Sequence, residues 1–350
     1  MFQKIKNIFF STQPYKLVYL LQQIDNLIDK NYLSICPENT NNNWLGIKNA
    51  SNAIFPNQNI ALPQYYSNQI VIDEDLNLLI KHFKNNGGKH IILNGYPEYF
   101  SKIVDICFQH QIKCTIIYHG GLAELNQNGS GQNKLKILFE LAKKGKIQQF
   151  GVIKKGLDVL FHQQTKVPCY HLSIPFQLPS GIKVHKYNNG KIHIGVFGND
   201  SYNKNRHTQV AAASLIPSSV VHFIGEDEFD YLLPPERKVQ HTMMDYPKFL
   251  SVLGSMDINL YCSFTESFGQ VVLESIALGV PCIHNNNSGI LDDYPELQER
   301  LIVTEYDNIQ SISNQINKAL KHRLDIQKNS NLFLNNHNTF AQQKINEILF

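Results

Sequence analysis

The sequence has no pair of cysteines at the two-residue spacing of a metal knuckle or a redox dithiol. Its six cysteines, Cys36, Cys107, Cys114, Cys169, Cys262 and Cys282, are scattered through 350 residues. Such cysteines read as small buried hydrophobes in a reducing compartment. No apolar run reaches the roughly 20 residues that a membrane-spanning helix requires. The opening stretch MFQKIKNIFFSTQPYKLVYLLQQID carries lysines and some apolar residues, but Gln13, Pro14 and Lys16 interrupt it short of a signal-peptide core. A large charge excess is missing too. The formal net charge is +3 with 17% charged residues, so no nucleic-acid partner is implied and an electrostatic partner must be met by a local cluster. There is no internal repeat of solenoid length. These absences lead us to expect a cytoplasmic protein.

What is present is enough apolar material, 43% of the chain, for more than one core, and two domains are expected. HIILNGY (His90 to Tyr96) and KCTIIYHGG (Lys113 to Gly121) are short β-branched runs ending in Gly, with the helically spaced PEYFSKIVDICFQHQI between them. That is a β-α-β unit and hence a parallel sheet. GVIKKGLDVLF and VPCYHLSIPF continue the alternation less sharply, and Pro, Gly and Asn then gather from Gln177 to Lys191 as at a domain edge. Beyond that edge the pattern restarts. KIHIGVFGN, VVHFIGED, DINLYCS and VPCIHNN read as strands; RHTQVAAASLI, YPKFLSVLGSM and GQVVLESIALG read as helices, the last stopped by Gly279 and Pro281. The expected organisation is residues 1–182, residues 183–332, and a terminal helix over 333–350 that packs back on the first domain. The Asn-rich stretches NTNNNWLGIKNASN and KNSNLFLNNHNTFAQQKINEILF give no firm assignment.

The segment TESFGQVVLESIALGVPCI places Glu266 and Glu274 on either side of Phe268-Gly269 in otherwise small and apolar sequence. Strand DINLYCS ends near Ser263, so the turn from Thr265 to Gly269 lies at the carboxyl edge of the sheet, where open α/β sheets bind ligands. Amides of Phe268, Gly269 and Gln270 at a helix start are suited to an anion such as a diphosphate. The two carboxylates are acceptors for sugar hydroxyls. Taken singly, Glu266 also reads as a solvated turn residue and Glu274 as a helix-face charge.

Glu266, Phe268-Gly269, Leu273-Glu274 and Gly279-Val280-Pro281 together resemble the signature of the retaining glycosyltransferases of family four, commonly EGFGLVLLEAMACGVPVI, in order and spacing over about 18 positions. GVFGNDSYNKNRHTQVAAASLI is similar to that family's strand, phosphate loop and helix, and VVHFIGEDE to its next strand and turn. The resemblance implies a GT-B fold: two Rossmann-like doubly wound domains facing a cleft, with the first, residues 1–182, on the acceptor side and a nucleotide-sugar held by the second, residues 183–332. It implies that Glu266 contacts the donor sugar, that Phe268, Gly269 and Gln270 hold the diphosphate, that Glu274 binds the ribose, and that Lys204 neutralises the leaving diphosphate. Asn199 stands where the family has an arginine. Arg206 is a candidate replacement for that cation, or else an exposed first-turn residue. His119, at the end of CTIIYHG, matches a first-domain position that lines the family's cleft; it also reads as a structural hydrogen-bond partner. Catalytic roles are thus expected of Glu266, His119 and Lys204.

The implied reaction is retaining transfer of a sugar from a UDP-sugar or GDP-sugar to a glycan or lipid-linked acceptor, in bacterial surface polysaccharide synthesis. It needs no cofactor and no metal. Asp73 and Asp75 have the spacing of a metal-binding pair, but they precede an apolar helical run and read as a helix cap. Lys134, Lys136, Lys143, Lys144, Lys146, Lys154 and Lys155, interleaved with Leu, Ile and Phe, read as a surface for anionic lipid or as a solvated helix face. A nucleotide-sugar-binding protein without turnover, or an epimerase on the same double fold, remains open.

Overall fold

The computed structural model describes residues 13–38, 44–63, 73–126 and 129–349. The chain divides into two compact units. One runs up to Leu172 and takes in the chain again from Lys344; the other is Ser173–Gln343.

The first unit alternates helices and strands: α1 (Gln13–Asp25), β1 (Tyr32–Pro37), α2 (Leu45–Ile54), β2 (Asn59–Leu62), α3 (Asp73–Asn85), β3 (His90–Asn94), α4 (Phe100–Gln109), β4 (Lys113–Tyr118), α5 (Gly129–Lys143), β5 (Gln149–Val152), α6 (Leu157–Thr165) and β6 (Cys169–His171). Its six strands lie in the order β2-β1-β3-β4-β5-β6, every pair parallel. All five residues of β3 are buried, because a parallel sheet is covered on both faces and its strands read as continuous apolar runs. Helix α4 turns Phe100, Ile103, Val104, Ile106 and Cys107 inward at helical spacing. Phe161 anchors the far side, edge-on to Phe139 and Phe150 at centroid distances of 5.0 and 5.1 Å. Asp73 and Asp75 stand with Glu74 in the first turn of α3, and Asp73 takes a 2.6 Å ion pair from Lys102. Among the described residues no group of three or more His, Cys, Asp or Glu side chains is placed to hold a metal ion.

The second unit carries β7 (Ile192–Val196), α7 (Arg206–Ser214), β8 (Ser219–Ile224), β9 (Lys238–His241), α8 (Tyr246–Ser255), β10 (Ile258–Tyr261), α9 (Gln270–Ala277), β11 (Cys282–His284), α10 (Pro295–Leu301), α11 (Ile309–Lys321) and α12 (Arg323–Leu349). The strand order is β11-β10-β7-β8-β9, again parallel throughout. From β7 the chain builds outward through β8 and β9, then returns to β7's other side for β10 and β11. The order therefore reverses between β7 and β10, and at such a switch point the loops leaving the two strands part to form a crevice.

Both α/β expectations are met: each unit is a doubly wound parallel sheet. The terminal segment differs in form from the helix expected over 333–350. It is the second half of one 27-residue helix, α12, whose run of Asn and Ser hid the continuity. The last turns of α12 belong to the first unit, where Gln149 Nε2 donates to the Ile348 carbonyl at 2.6 Å. Gly151 makes room for them: a Cβ there would lie 2.6 Å from Leu172 Cδ1 and 2.8 Å from Ile348 Cδ1.

A buried chain of imidazoles crosses the second sheet. His193 Nδ1 meets His222 Nε2 at 2.8 Å, and His222 Nδ1 meets His241 Nε2 at 3.0 Å. Tyr187 stacks on His193 with centroids 3.9 Å apart.

Candidate active site

The switch point between β7 and β10 is where the two signature loops meet. After β7 the chain passes Gly198, whose missing Cβ would lie 2.9 Å from Lys204 Cβ, so glycine lets the loop fold back over the lysine stem. A single 3₁₀ turn, Tyr202–Lys204, leads into Asn205, which holds φ 51° and stands at the start of α7. Asn tolerates this left-handed conformation better than most residues. Its side-chain amide donates to the Cys262 carbonyl at 3.1 Å and the Tyr306 carbonyl at 2.9 Å. The Phe264 amide donates to the Asn203 carbonyl at 2.7 Å. These bonds stitch the loop after β7 to the loop after β10.

The stitching brings Lys204 onto Glu266. Lys204 Nζ donates to Glu266 Oε1 and, at 2.9 Å, to the Tyr261 hydroxyl, with the side chains of the ion pair 15% and 14% exposed. Nζ also lies 5.1 Å from the centroid of the Tyr261 ring. Burial works against the ammonium charge, but Tyr261 and Glu266 outweigh it and hold the Lys204 pKa above its ordinary value, so Lys204 is a cation. Burial, reinforced by the Glu266 charge, raises the Tyr261 pKa and keeps its phenol protonated.

Past Glu266 the loop reaches α9. Gly269 is left-handed at φ 83° and forms the helix N-cap; a Cβ there would meet nothing closer than 3.6 Å, so the conformation, not space, calls for glycine. Among the described residues the amides of Phe268 and Gly269 have no hydrogen-bond acceptor. The Phe268 side chain points inward, its ring 5.9 Å from that of His337. Gln270 opens the helix. One turn on, Glu274 is 4% exposed and accepts from the Tyr246 hydroxyl at 2.8 Å. Burial raises its pKa to about 7 against the opposing pull of that hydrogen bond. Glu274 is therefore not the solvated helix-face charge weighed from the sequence, and Glu266 is not a free turn residue.

Arg206 is not an exposed first-turn residue either: it is 5% exposed. Its guanidinium pairs with Asp200, donates to the Glu226 carbonyl at 3.3 Å and lies 5.1 Å from the Phe229 centroid. Asp200 in turn occupies the space a Cβ at Gly225 would need. Asn199, exposed, accepts from the Ser201 amide at 3.3 Å and from its hydroxyl, shaping the loop. In the first unit, His119 stands just past β4 with Nε2 3.4 Å from Asn94 Oδ1, and the protein around its ring lowers its pKa to about 3, leaving a neutral imidazole. The structure thus joins Lys204 and Glu266 directly and places Glu274 and the Phe268–Gln270 turn on the same loop and helix. Tyr261, Tyr246 and Asp200 were not foreseen. A tyrosine closing a strand pattern carries no sign of whether its hydroxyl faces a lysine, and Asp200 passes for an ordinary turn acid.

Two units, each a parallel doubly wound sheet, are the components of the GT-B fold. Residues 181–336, a stretch that takes in most of the second unit, match the family Glycosyl transferases group 1. No match was found among curated proteins by sequence. Among solved structures, Anabaena HepE in complex with UDP and glucose superposes with a TM-score of 0.62 at 14% identity, covering 91% of this chain and 98% of that one. Sucrose-phosphate synthase from Thermosynechococcus elongatus gives 0.61 at 14% identity, covering 90% and 95%. A TarM variant from S. aureus, in complex with Fondaparinux, alpha-GlcNAc-glycerol and UDP, gives 0.57 at 14% identity and covers 74% of this chain. The chain spans 54% of TarM's length. At these identities the likenesses speak for the fold alone. Among the described residues no helix is long and apolar enough to cross a membrane.

Proposed function

We propose that the protein is a retaining glycosyltransferase. It moves a sugar from a nucleoside-diphosphate sugar, with UDP or GDP as the carrier, to a glycan or lipid-linked acceptor in surface polysaccharide synthesis. The observation that carries this reading is the buried Lys204–Glu266 pair at the switch point, one turn of chain from the amides of Phe268 and Gly269. A cation, backbone donors and a carboxylate converge where a diphosphate and a sugar have to be held side by side. Donor binding exchanges partners: Lys204 moves its interaction from Glu266 to the diphosphate, and Glu266 turns to the hydroxyls of the transferred sugar. Glu274 takes the ribose hydroxyls, for which its carboxylate form supplies two acceptor oxygens.

In the transfer the bond from the anomeric carbon to the diphosphate oxygen breaks first, and charge grows on that oxygen. Lys204 and the turn amides stabilise it, the kind of preorganised electrostatic term that is commonly the largest in catalysis. The acceptor hydroxyl then forms its bond to the anomeric carbon on the face the diphosphate leaves, and its proton passes to a diphosphate oxygen. His119, neutral, serves as a hydrogen-bonding group near the sugar. The cationic role in this scheme falls to Lys204, with Arg206 a second cation once it exchanges Asp200 for phosphate, and no metal step is invoked. On the first unit, exposed Lys136, Ile137 and Lys143 on α5, with exposed Lys144 just past its end, suit an anionic membrane surface.

A thermal-shift series with UDP, GDP and their sugars tests the donor site, because a ligand of the folded state raises Tm. Glu266→Ala should abolish transfer while leaving the fold intact, and undiminished turnover would remove the assignment. A second reading, a nucleotide-sugar-binding protein without turnover, draws support from Asn199 in place of the arginine and from Arg206 already being engaged by Asp200. Nucleotide binding without release of nucleoside diphosphate, with water or any acceptor, would favour it.

A further inference from the structure

In the first sheet a row of polar side chains crosses four strands, β2, β1, β3 and β4, where parallel strands are mostly apolar. Ser34 of β1 is registered with Asn59 of β2 and with Ile92 of β3. Asn94 is two residues past Ile92 and registered with Ile117 of β4, and His119 is two residues past Ile117. A side-chain period of two turns all of them toward one face of the sheet. They are joined end to end. Asn94 Nδ2 donates to Ser34 Oγ, Ser34 Oγ to Asn59 Oδ1, and Asn59 Nδ2 to Asn52 Oδ1, each at 2.8 Å. Ser34 and Asn94 are fully buried. At the other end of the row Asn94 Oδ1 meets His119 Nε2 at 3.4 Å.

The direction of these bonds decides the state of His119. The Ile35 carbonyl, 3.5 Å from Asn94 Nδ2, can only accept, so it identifies that atom as the amide nitrogen. Asn94 therefore turns its oxygen to His119, and the imidazole proton has to be on Nε2. The other tautomer would oppose two acceptors and leave the buried Asn94 Oδ1 with no donor among the described residues. The lone pair is then on Nδ1, which has no hydrogen-bond partner among the described residues, on a ring that is only partly buried. The pKa of about 3 keeps that lone pair unprotonated at neutral pH.

We infer that Asn94 is a positioning residue for His119: it fixes the Nε2–H tautomer, so that His119 meets a sugar as a hydrogen-bond acceptor and requires a hydroxyl proton there. The sugar rests on the glycosyltransferase reading above; the tautomer does not. An Nδ1–H imidazole would donate, and any sugar oxygen, whether hydroxyl, ether or ester, would satisfy it. The Nδ1 lone pair is satisfied only by an O–H or N–H. It therefore discriminates against a sugar that is deoxygenated or alkylated at that position.

The test is nitrogen NMR on the full chain with isotope-labelled histidine, the His119 signals being assigned by their loss in His119→Gln. In the free wild type, Nε2 is expected to be the protonated, pyrrole-type nitrogen and Nδ1 the unprotonated, pyridine-type one. Asn94→Leu should lose that preference, and Asn94→Asp, which keeps an oxygen for the Nε2 proton, should restore it. UDP-glucose, UDP-N-acetylglucosamine, GDP-mannose, and methyl glycosides with UDP present are then added. At least one should move the Nδ1 resonance as hydrogen bonding does, where UDP or GDP alone does not. A response to a nucleotide sugar assigns the contact to the donor sugar; a response to the glycosides only assigns it to the acceptor. An Nδ1–H tautomer in wild type overturns the inference, and so does an Nε2–H tautomer that persists in folded Asn94→Leu. Nucleotide sugars that raise Tm but leave Nδ1 where UDP leaves it, with the glycosides equally silent, overturn the contact with sugar. Absence of any nucleotide thermal shift in wild type strikes the glycosyltransferase reading itself and the sugar contact with it, while the tautomer is decided in the free protein.

Discussion

His222 is buried at the middle of the imidazole chain, and its protonation state is fixed by its neighbours. Asn189 Oδ1 accepts the Lys191 amide at 3.1 Å, which identifies it as the oxygen, and it also meets His193 Nε2 at 3.0 Å. His193 therefore donates from Nε2 and accepts at Nδ1, so His222 donates from Nε2 and accepts at Nδ1, and His241 donates from Nε2. A proton added to His222 would set two N–H groups against each other and remove a hydrogen bond. Burial first, and then the neighbouring His241 and His193, lower the His222 pKa from 6.5 to about 3. The sign follows from linkage: a histidine kept neutral in the fold contributes its full stability above pH 6.5 and loses it as the pH falls toward 3, because only the unfolded chain gains the proton. At pH 4.5 the loss from this one group is about 2.7 kcal/mol relative to pH 8, at about 1.36 kcal/mol per pH unit. The perturbation is His222→Gln, which keeps a donor and an acceptor but does not titrate. Hydrogen exchange of peptides covering β7, β8 and β9, corrected for intrinsic rates, reads the opening free energy of this sheet from pH 8 to pH 4.5. The variant is expected to be weaker than wild type at pH 8 by about 1 kcal/mol for its poorer hydrogen bonds, and to lose about 2.7 kcal/mol less on acidification. His284, whose pKa burial lowers to about 4, titrates in both proteins and drops out of the difference, which reports His222 together with its bonded neighbours His193 and His241. Parallel pH curves for the two proteins would refute the reasoning.

Lys204→Met should remove the UDP or GDP thermal shift and reduce kcat by about a hundredfold or more, as loss of a charge-stabilising group does; an unchanged shift would take Lys204 out of the donor site. Tyr246→Phe deletes the hydrogen bond that lowers the Glu274 pKa. Nucleoside-diphosphate affinity, measured by calorimetry, should fall at pH 7 and recover near pH 8.5, where Glu274 is again a carboxylate; a pH-independent loss would argue against ribose binding by Glu274. Gly151→Val drives a side chain into Leu172 and Ile348 and should cost about 1–3 kcal/mol by overpacking, with faster amide exchange at residues 344–349 as its local mark.

How much of this was legible in the sequence depended on whether a local pattern had one structural outcome. HIILNGY and KCTIIYHGG could only be buried parallel strands once a helix lay between them, and they are β3 and β4. The turn from Thr265 to Gly269 was legible for the same reason: glycine ahead of an apolar helix at a strand's carboxyl end has one economical geometry, and Gly269 is the left-handed N-cap. Short strands such as β2, NIAL, and β9, KVQH, were not, because four residues at or near a sheet edge carry too little apolar periodicity to distinguish them from loop. Helix α12 escaped because it is rich in Asn, which favours helix ends over interiors, and because exposed Leu324, Leu332 and Phe340 blur its apolar periodicity.

The site shows the same division at the scale of side chains. Sequence spacing identified Lys204 and Glu266 as separate candidates, but nothing along the chain shows that Asn205 ties their loops together through the Cys262 carbonyl, 57 residues away. That tie turns two candidates into one ion pair largely shielded from water, in which Glu266 helps to hold the Lys204 ammonium. It also explains Arg206. The Asp200 carboxylate, packed where Gly225 leaves room, engages the guanidinium that the sequence offered as a free cation. The two cations start from similar states: each is paired with an acid, and the proposed donor scheme has each exchange that acid for phosphate. In that scheme Lys204 has the shorter route, since Glu266 is given sugar hydroxyls to turn to. Asp200 has no such second partner among the described residues. If Arg206 takes part, Asp200→Asn should therefore tighten nucleoside-diphosphate binding severalfold by releasing it, and unchanged or weaker binding in a folded Asp200→Asn protein would confine Arg206 to holding the loop after β7 against β8.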